Sequence, residues 1–473
     1  MGALEKIDIT ALKGLTQDSR KVRPGFLFAA FPGVKTDGRE YIAAAIQNGA
    51  SVILAPKGTS VDMPENVQLI TDENPRKIFA HLAAAFYKNQ PEYIAAVTGT
   101  NGKTSVVHFA AQIWSALGLK SASLGTLSGK MTTLETVELH EELTRLEKDG
   151  MTHLAMEASS HGLDQYRLDG VRIKAAGFTN LSRDHLDYHE NMEDYLAAKV
   201  RLFSDVLEEG GTAVLNADVP EFKTLKTICD KRGIRVIDYG RQGTGIGLMS
   251  ARPLPQGQEI EIRGKGLSAQ ITLPLVGRFQ AMNVLCALGL VMAEHPDDPD
   301  WLELVLERLP ALQSPPGRLQ RIESHSQDVG IYIDYAHTPD ALETVLTALR
   351  PHTEKRLICV FGCGGDRDKG KRPQMGEIAA RLADIVIITD DNPRSEDPAT
   401  IRAEILSAAP KAEEIPGRRN AIEKAVRMLG RGDVLIIAGK GHERGQIFAD
   451  HTEDFDDAEE ARAAINKLSL TTV

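Results

Sequence analysis

The chain has 473 residues, 42% hydrophobic and 26% charged, which places it among multi-domain globular proteins and excludes a disordered or fibrous chain. With 55 Lys and Arg against 66 Asp and Glu the net charge is −11, which argues against a nucleic-acid partner held by phosphate neutralisation. Its cysteines (Cys229, Cys286, Cys359, Cys363) are too scattered for a disulfide framework, and CVFGC lacks the second pair or histidine box of a zinc site.

The opening MGALEKIDITALKG has no long apolar region, and no run reaches membrane-spanning length. The expectation is a cytoplasmic enzyme without membrane insertion. Residues 1–90 read as a small α/β module: apolar runs FLFAAF and SVILA alternate with a helical stretch around Ile42–Asn48, with turns at Pro24-Gly25 and Pro32-Gly33. A helix over Pro75–Lys88 leads to Asn89-Gln90-Pro91, which reads as a hinge. DENPR, Asp72–Arg76, reads as the capping segment of that helix rather than as a site.

Residues 91–313 open on the apolar run Tyr93–Val97, then TGTNGKTS, then the periodic VVHFAAQIWSALG. Strand, glycine-rich turn and helix in this order form the setting in which backbone N–H groups and a helix N-terminus cradle phosphates. Gly99 and Gly102 allow the turn, Lys103 is placed to neutralise β- and γ-phosphates, and the Thr104 hydroxyl to reach Mg²⁺. The usual GxxxxGK[ST] pattern asks for glycine at 97, where Val97 stands. Further runs at 153–157, 175–179, 212–217 and 234–238 alternate with helices and predict a parallel sheet. Between 241 and 275 the pattern turns to hairpins.

After the linker SPPGR, residues 314–473 carry GIYIDYAH, RLICVFGCGGD, DIVIITDDNPR and DVLIIAGKGHE. Each is an apolar run ending in polar or glycine-rich residues, so a second doubly wound sheet is predicted, with its polar clusters at the carboxyl ends of strands, where ligands gather. In the middle region Glu157 and His185 follow strands near the glycine loop. Glu157 suits Mg²⁺, which takes oxygen ligands; both residues equally suit strand-end or capping roles.

TGTNGKTS, MEASSHGLDQYR, TNLSRDHLDYH, YLAAKVRLF, DYAHTPDAL, FGCGGDRDKGKRP, DNPR and AGKGHE, in this order, resemble the Mur ligases of bacterial peptidoglycan synthesis. More narrowly they resemble the type acting on UDP-MurNAc-L-alanyl-D-glutamate, and TQDSRKVRPGFLF extends the likeness to the start. The resemblance implies an α/β chain of three domains: a UDP-substrate module, a central P-loop-type ATPase and a C-terminal Rossmann-like domain for the incoming amino acid. It implies a monomeric, ATP- and Mg²⁺-dependent amide ligase serving cell-wall growth, cell shape and division. A folylpolyglutamate synthase shares such a loop, but the DSR module and DNPR argue against it. A P-loop GTPase would want NKxD, and Asn466-Lys467 is followed by Leu468-Ser469.

Carried over, the resemblance assigns ATP to Gly99, Thr100, Asn101, Gly102, Lys103, Thr104, Asn283, Arg318, Asp334, Tyr335 and His337. It assigns metal to Thr104, Glu157, His185 and a carbamylated Lys199, with Lys103, Lys199 and His185 as catalytic groups. On the residues alone Lys199 reads as a helix-surface lysine. The UDP-sugar dipeptide falls to Gln17, Ser19, Val34, Lys35, Thr36, Thr132, Thr133, Ser159, Gln165 and Arg167. DNPR accompanies meso-diaminopimelate in these enzymes, which implies a pocket of Arg367, Asp391, Asn392, Pro393, Arg394, Gly439 and Glu443. Without the family Arg394 reads as a solvated loop arginine. Two departures are Met131, where Asn is common, and Gln280, where GxFN is common.

Overall fold

Short runs of buried aliphatic residues bounded by glycine turns form nearly every strand. The computed structural model describes residues 4–33, 36–128, 131–184, 188–264, 267–324 and 328–471. The chain divides into two units, Met1–Tyr239 with Cys286–Trp301, and Gly240–Leu285 with Leu302–Val473.

The first unit begins with β1 (Gly14–Thr16), β2 (Phe26–Ala29), β3 (Ala50–Pro56) and β4 (Gln68–Asp72), a parallel sheet in sequence order. Helices α1 (Ile42–Gln47) and α2 (Pro75–Tyr87) fall where periodicity places them. Asn74 caps α2 by accepting from the Lys77 N–H at 3.2 Å, and Pro75 at its first position costs no hydrogen bond. Phe79, Leu82 and Ala83 bury this helix against β2–β4 residues, the larger side chains each contributing about 1.5–3 kcal/mol. Gln90 is buried; its amide donates to Gly170 O (3.0 Å) and accepts from Arg172 N–H (3.0 Å). The stretch expected to be a hinge is therefore anchored.

Next come β5 (Tyr93–Thr98), α3 (Lys103–Ala116), β6 (Ser121–Leu124), α4 (Thr136–Lys148), β7 (His153–Glu157), α5 (Ser160–Asp164) and β8 (Ile173–Phe178). Then follow α6 (Met192–Arg201), β9 (Thr212–Asn216), α7 (Phe222–Lys231) and β10 (Arg235–Gly240). These strands pair in parallel in the order β10-β9-β8-β5-β7-β6. The chain leaves β5 toward β7 and β6 and returns on its other side as β8, so the loop after β5 sits where strand order reverses, the place ligands occupy in such sheets.

In the second unit β11 (Ile246–Leu254), β12 (Gly257–Gly264) and β13 (Leu267–Leu273) form the expected antiparallel meander. Helices α8 (Arg278–Met292) and α9 (Pro299–Leu306) follow in sequence. A further sheet contains β14 (Gln320–Arg321), β15 (Gly330–Asp334), β16 (Leu357–Phe361), β17 (Ile385–Ile388), β18 (Glu413–Glu414) and β19 (Val434–Ala438), in the order β14-β15-β19-β16-β17-β18. All its pairs but β14·β15 are parallel. Helices α10 (Pro339–Leu349), α11 (Lys371–Leu382), α12 (Pro398–Leu406), α13 (Arg418–Arg427) and α14 (Asp457–Thr471) complete the unit. Both faces of this sheet are buried, in separate clusters containing Leu357, Cys359 and Ile436 on one side and Ile358, Val360 and Ile437 on the other. That accounts for strands that read as continuous apolar runs rather than alternating ones. All the cysteines are free and buried. Among the described residues no helix is long and apolar enough to cross a membrane.

Candidate active site

The glycine loop after β5 is set by two backbone demands. Gly99 has φ +144° and Gly102 φ +88°, and a Cβ on Gly99 would lie 1.9 Å from Thr179 Oγ1. Val97, by contrast, is a fully buried strand residue paired with Glu157 and Gly177. The glycine missing from position 97 is therefore not needed there. The segment after β8 braces the loop: Asn180 Oδ1 accepts from Asn101 N–H (3.0 Å), Thr179 Oγ1 donates to Asn101 O (2.7 Å), and Thr100 Oγ1 accepts from Ser182 N–H (3.0 Å).

Two amines meet on this loop. Lys103 Nζ donates to Gly99 O (2.9 Å) and Thr100 O (2.8 Å), and Lys199 Nζ donates to the same Gly99 O at 2.9 Å. Lys199 is 1% exposed and lies 4.2 Å from the Tyr195 ring centroid, so the surface reading of this lysine is overturned. Burial, reinforced by the Lys103 charge, pushes its amine down to about 6. Glu157, at the end of β7 and 1% exposed, accepts from Thr104 Oγ1 (3.0 Å) and Thr126 N–H (2.8 Å). A buried carboxylate ringed by hydroxyls, with Thr104 beside it, is a donor set that suits a hard cation. His185 lies outside the described residues.

A cavity of about 1070 Å³ opens between the first small sheet and the segments after β6 and β7; Gln17, Ser19, Thr36 and Gln165 line it. Val34 and Lys35 lie outside the described residues. The remaining residues assigned to this substrate sit behind its wall as one network. Thr133 Oγ1 donates to Glu157 O (3.0 Å) and accepts from Ser159 N–H (2.9 Å), while Ser159 caps α5. Arg167 donates to Thr133 O (2.8 Å) and Gln165 Oε1 (2.7 Å) and pairs with Glu135 (2.6 Å). Thr132 reaches this network through Thr126 Oγ1 at 3.2 Å. Met131 is 41% exposed.

Sequence reasoning missed Arg76, Glu135, Asp164 and Tyr188, all of which line the cavity. Asn74 does cap its helix, and the same segment also places Arg76 on the cavity wall. A basic residue in the first turn of a helix, where the dipole disfavours it, was the available signal.

In the second unit the polar clusters fall at the carboxyl ends of β15, β16, β17 and β19. Asp334 is 7% exposed, accepts from Leu319 N–H and Ala336 N–H (both 2.8 Å), and is pushed up to about 6 by burial. The Tyr335 ring lies 5.1 Å from the Arg318 guanidinium and is tilted against the rings of His337 (4.5 Å) and His442 (5.2 Å). Gln280 is fully buried and bridges Asn283 (2.9 Å) to Arg318 O (3.3 Å), so this departure is accommodated by a hydrogen-bonded bridge.

The turn after β17 is held from β19. Lys440, fully buried, donates to Asn392 Oδ1 at 2.8 Å and lies 3.5 Å from Asp391 and 3.6 Å from Glu443. Asn392 donates to Glu443 at 3.0 Å. A Cβ on Gly365 would lie 1.9 Å from Pro393 O, and one on Gly439 3.7 Å from Asp391 Oδ2. Arg394 is half-buried and donates to Gly365 O at 2.8 Å. Leu319, Asp366 and Arg394 adopt left-handed φ of 49°, 53° and 52°; such strain clusters at functional sites. Arg367 is the outlier: exposed, it makes no hydrogen bond or ion pair among the described residues.

Comparison with known proteins agrees with this layout. Residues 11–87 match the Mur ligase family catalytic domain, 97–291 the Mur ligase middle domain, and 317–441 the Mur ligase glutamate ligase domain. A UDP-N-acetylmuramoyl-L-alanyl-D-glutamate–2,6-diaminopimelate ligase of Caulobacter vibrioides is 50% identical over 469 residues, covering 96% of this chain and 95% of its own. A solved structure described in the same words superposes with TM-score 0.74 at 33% identity over 98% of both chains. The MurF ligase of Thermotoga maritima, solved with ADP, shares the fold (TM-score 0.62, 19% identity, 99% of this chain and 100% of that one). With domain matches along most of its length and half-identical relatives end to end, this chain belongs to the Mur ligase family.

Proposed function

We propose that this chain is an ADP-forming ligase that joins meso-diaminopimelate to UDP-MurNAc-L-Ala-D-Glu in peptidoglycan synthesis, working in the cytoplasm as a monomer. The observation that carries the reading is the charge pattern around 391–394: the Arg394 guanidinium beside a turn where Asp391, Asn392 and Glu443 gather about Lys440. Diaminopimelate has an ammonium and a carboxylate at each end. A planar guanidinium can grip its distal carboxylate with paired hydrogen bonds, and acidic side chains suit its ammonium. Lysine lacks that carboxylate and would leave Arg394 facing a cationic end.

Three segments divide the work: 1–90 and the cavity wall hold the UDP-substrate, 91–313 holds ATP, and 314–473 holds the amino acid. ATP is bound through the Gly99–Thr104 loop; by resemblance Asp334, Tyr335 and His337 belong to the segment near its ribose and base, and Asn283 and Arg318 are assigned to the same nucleotide. A carboxylate is a poor electrophile. An oxygen of the D-glutamyl γ-carboxylate attacks the γ-phosphorus, the bond to ADP breaks, and an acyl phosphate forms. The diaminopimelate amine then attacks the acyl carbon, loses a proton, and phosphate departs as the amide forms. This chemistry needs positioning and charge neutralisation more than a nucleophile.

Mg²⁺ would be held by Thr104, Glu157 and Lys199 once carbamylated, with His185, and would neutralise phosphate charge. Lys199 suits this conversion because burial favours its neutral amine, and only the neutral amine adds CO₂. The product is an anion in place of a cation. The test is ADP release with ATP and Mg²⁺: it should require both the UDP-dipeptide and meso-diaminopimelate. ADP release without the amino acid, or hydrolysis of GTP alone, contradicts the reading.

A further inference from the structure

The cavity wall carries carboxylates and guanidinium groups, and nearly all of them are already engaged with one another. Glu135 gives one oxygen to Arg167 (2.6 Å) and the other to Gln17 (2.6 Å). Asp164 accepts from Tyr188 Oη at 2.7 Å. Arg20 is paired with Asp18 at 2.9 Å. Arg76 differs. It lines the same cavity half-buried, its guanidinium carbon 4.8 Å from the Phe31 ring centroid, and one N–H donates to Pro32 O at 2.9 Å. Among the described residues it makes no ion pair.

Its position compounds the cost. Arg76 stands in the first turn of α2, at the positive end of the helix dipole, where a cation is disfavoured. Desolvation lowers its affinity for a proton further, yet a guanidinium stays charged in proteins. Glu135 and Asp164 act on it only at a distance, and a cation kept partly out of water, in no ion pair among the described residues and at the wrong end of a helix, is a site prepared for an anion from solution. Its free N–H groups form a planar fork that matches phosphate oxygens.

Resting on the function proposed above, we propose that Arg76 grips the diphosphate of the UDP-substrate and is a binding residue of this cavity. The peptide carboxylates of the same substrate are the competing anions. The diphosphate is favoured because Arg76 shares a wall with Ser19, Thr36 and Tyr41, all in the 1–90 segment that the resemblance assigns to the UDP-substrate.

Arg76→Gln and Arg76→Lys in the full chain test this. Losing a charge-assisted pair should raise KM for UDP-MurNAc-L-Ala-D-Glu and the Kd of UDP, titrated calorimetrically, by the same factor of about ten to a hundred. Arg76→Lys, which keeps the charge but not the fork, should lose less. KM for ATP should hold in both. An unchanged Kd for UDP overturns the proposal: with a raised KM it would put the guanidinium on the peptide, and without one it would leave it no role in binding. Equal rises in the KM values of the dipeptide and ATP overturn it by showing a structural role. If the unmodified chain released no ADP with these substrates, the function would fall, and the UDP titration would still decide Arg76.

Discussion

The two sheet edges proposed to carry the chemistry treat positive charge in opposite ways. At the end of β5, Lys103 and Lys199 converge on a single carbonyl oxygen, that of Gly99, and one of them is so desolvated that its proton is held weakly. At the ends of β16, β17 and β19 the buried cations meet carboxylates instead. Arg418 pairs with Asp457 at 2.6 Å, both fully buried, Arg372 with Glu396 and Glu404, and Lys440 with Asp391 and Glu443. The first edge gathers two amines on one carbonyl, which supports the proposed binding of phosphate and the proposed conversion of Lys199. The second is neutralised in advance, which fits a ligand that is itself a zwitterion, and it leaves its cations to hold the turn in shape.

The largest expected effect breaks the first edge. Lys103→Ala should reduce ADP formation by about a thousand-fold or more, because phosphoryl transfer depends on charge placed at the transferring group. Lys199→Ala should fall comparably and recover in part with added short carboxylates, whereas Lys199→Arg should stay inactive, since a guanidinium adds no CO₂ and remains cationic. An active Arg variant would show that position 199 serves as a cation.

The second edge should break differently. Arg418→Met leaves Asp457 buried without its partner and should cost roughly 3–5 kcal/mol in a denaturant titration. A loss under 1 kcal/mol there would mean that its pre-paired charges do not hold the edge together. Arg394→Ala, in contrast, removes the contact proposed for the distal carboxylate: kcat/KM for diaminopimelate should drop about ten- to a hundred-fold, while use of lysine falls little or rises.

The smallest effect sharpens the comparison through pH. The Lys199 amine sits near 6 in the folded chain against 10.5 as its ordinary value. Between those limits the unfolded chain binds a proton that the native one lacks, so this residue makes stability rise with pH by up to about 1.4 kcal/mol per unit across that window. Below 6 both states are protonated and the slope disappears. Lys199→Met should flatten the measured stability between pH 7 and 9, and a ¹³CO₂ carbamate signal in the unmodified chain should grow as pH rises through 6.

Much of this was legible in the sequence because it is local. Strand, glycine turn and helix at 93–116, and the apolar runs ending in polar clusters at 334, 363, 391 and 439, fold where periodicity and glycine place them. Lys199 was misread because helix position was judged without its neighbours: Tyr195, Ala198, Lys199 and Leu202 share one buried face at spacings of three and four, which a helical projection would have marked. Arg76 was hidden by a correct reading of its neighbour Asn74 as a cap. Glu135, Asp164 and Tyr188 carry no local signal, since only tertiary packing turns them toward one cavity.

The claim on which the account turns is the choice of amino acid. A panel of amino acids offered with UDP-MurNAc-L-Ala-D-Glu and ATP, with ADP release and product mass recorded for each, tests it most directly. The account predicts that meso-diaminopimelate supports turnover with kcat/KM at least about ten-fold above L-lysine, from the charged contact proposed between Arg394 and the distal carboxylate. Equal or better use of L-lysine would contradict it.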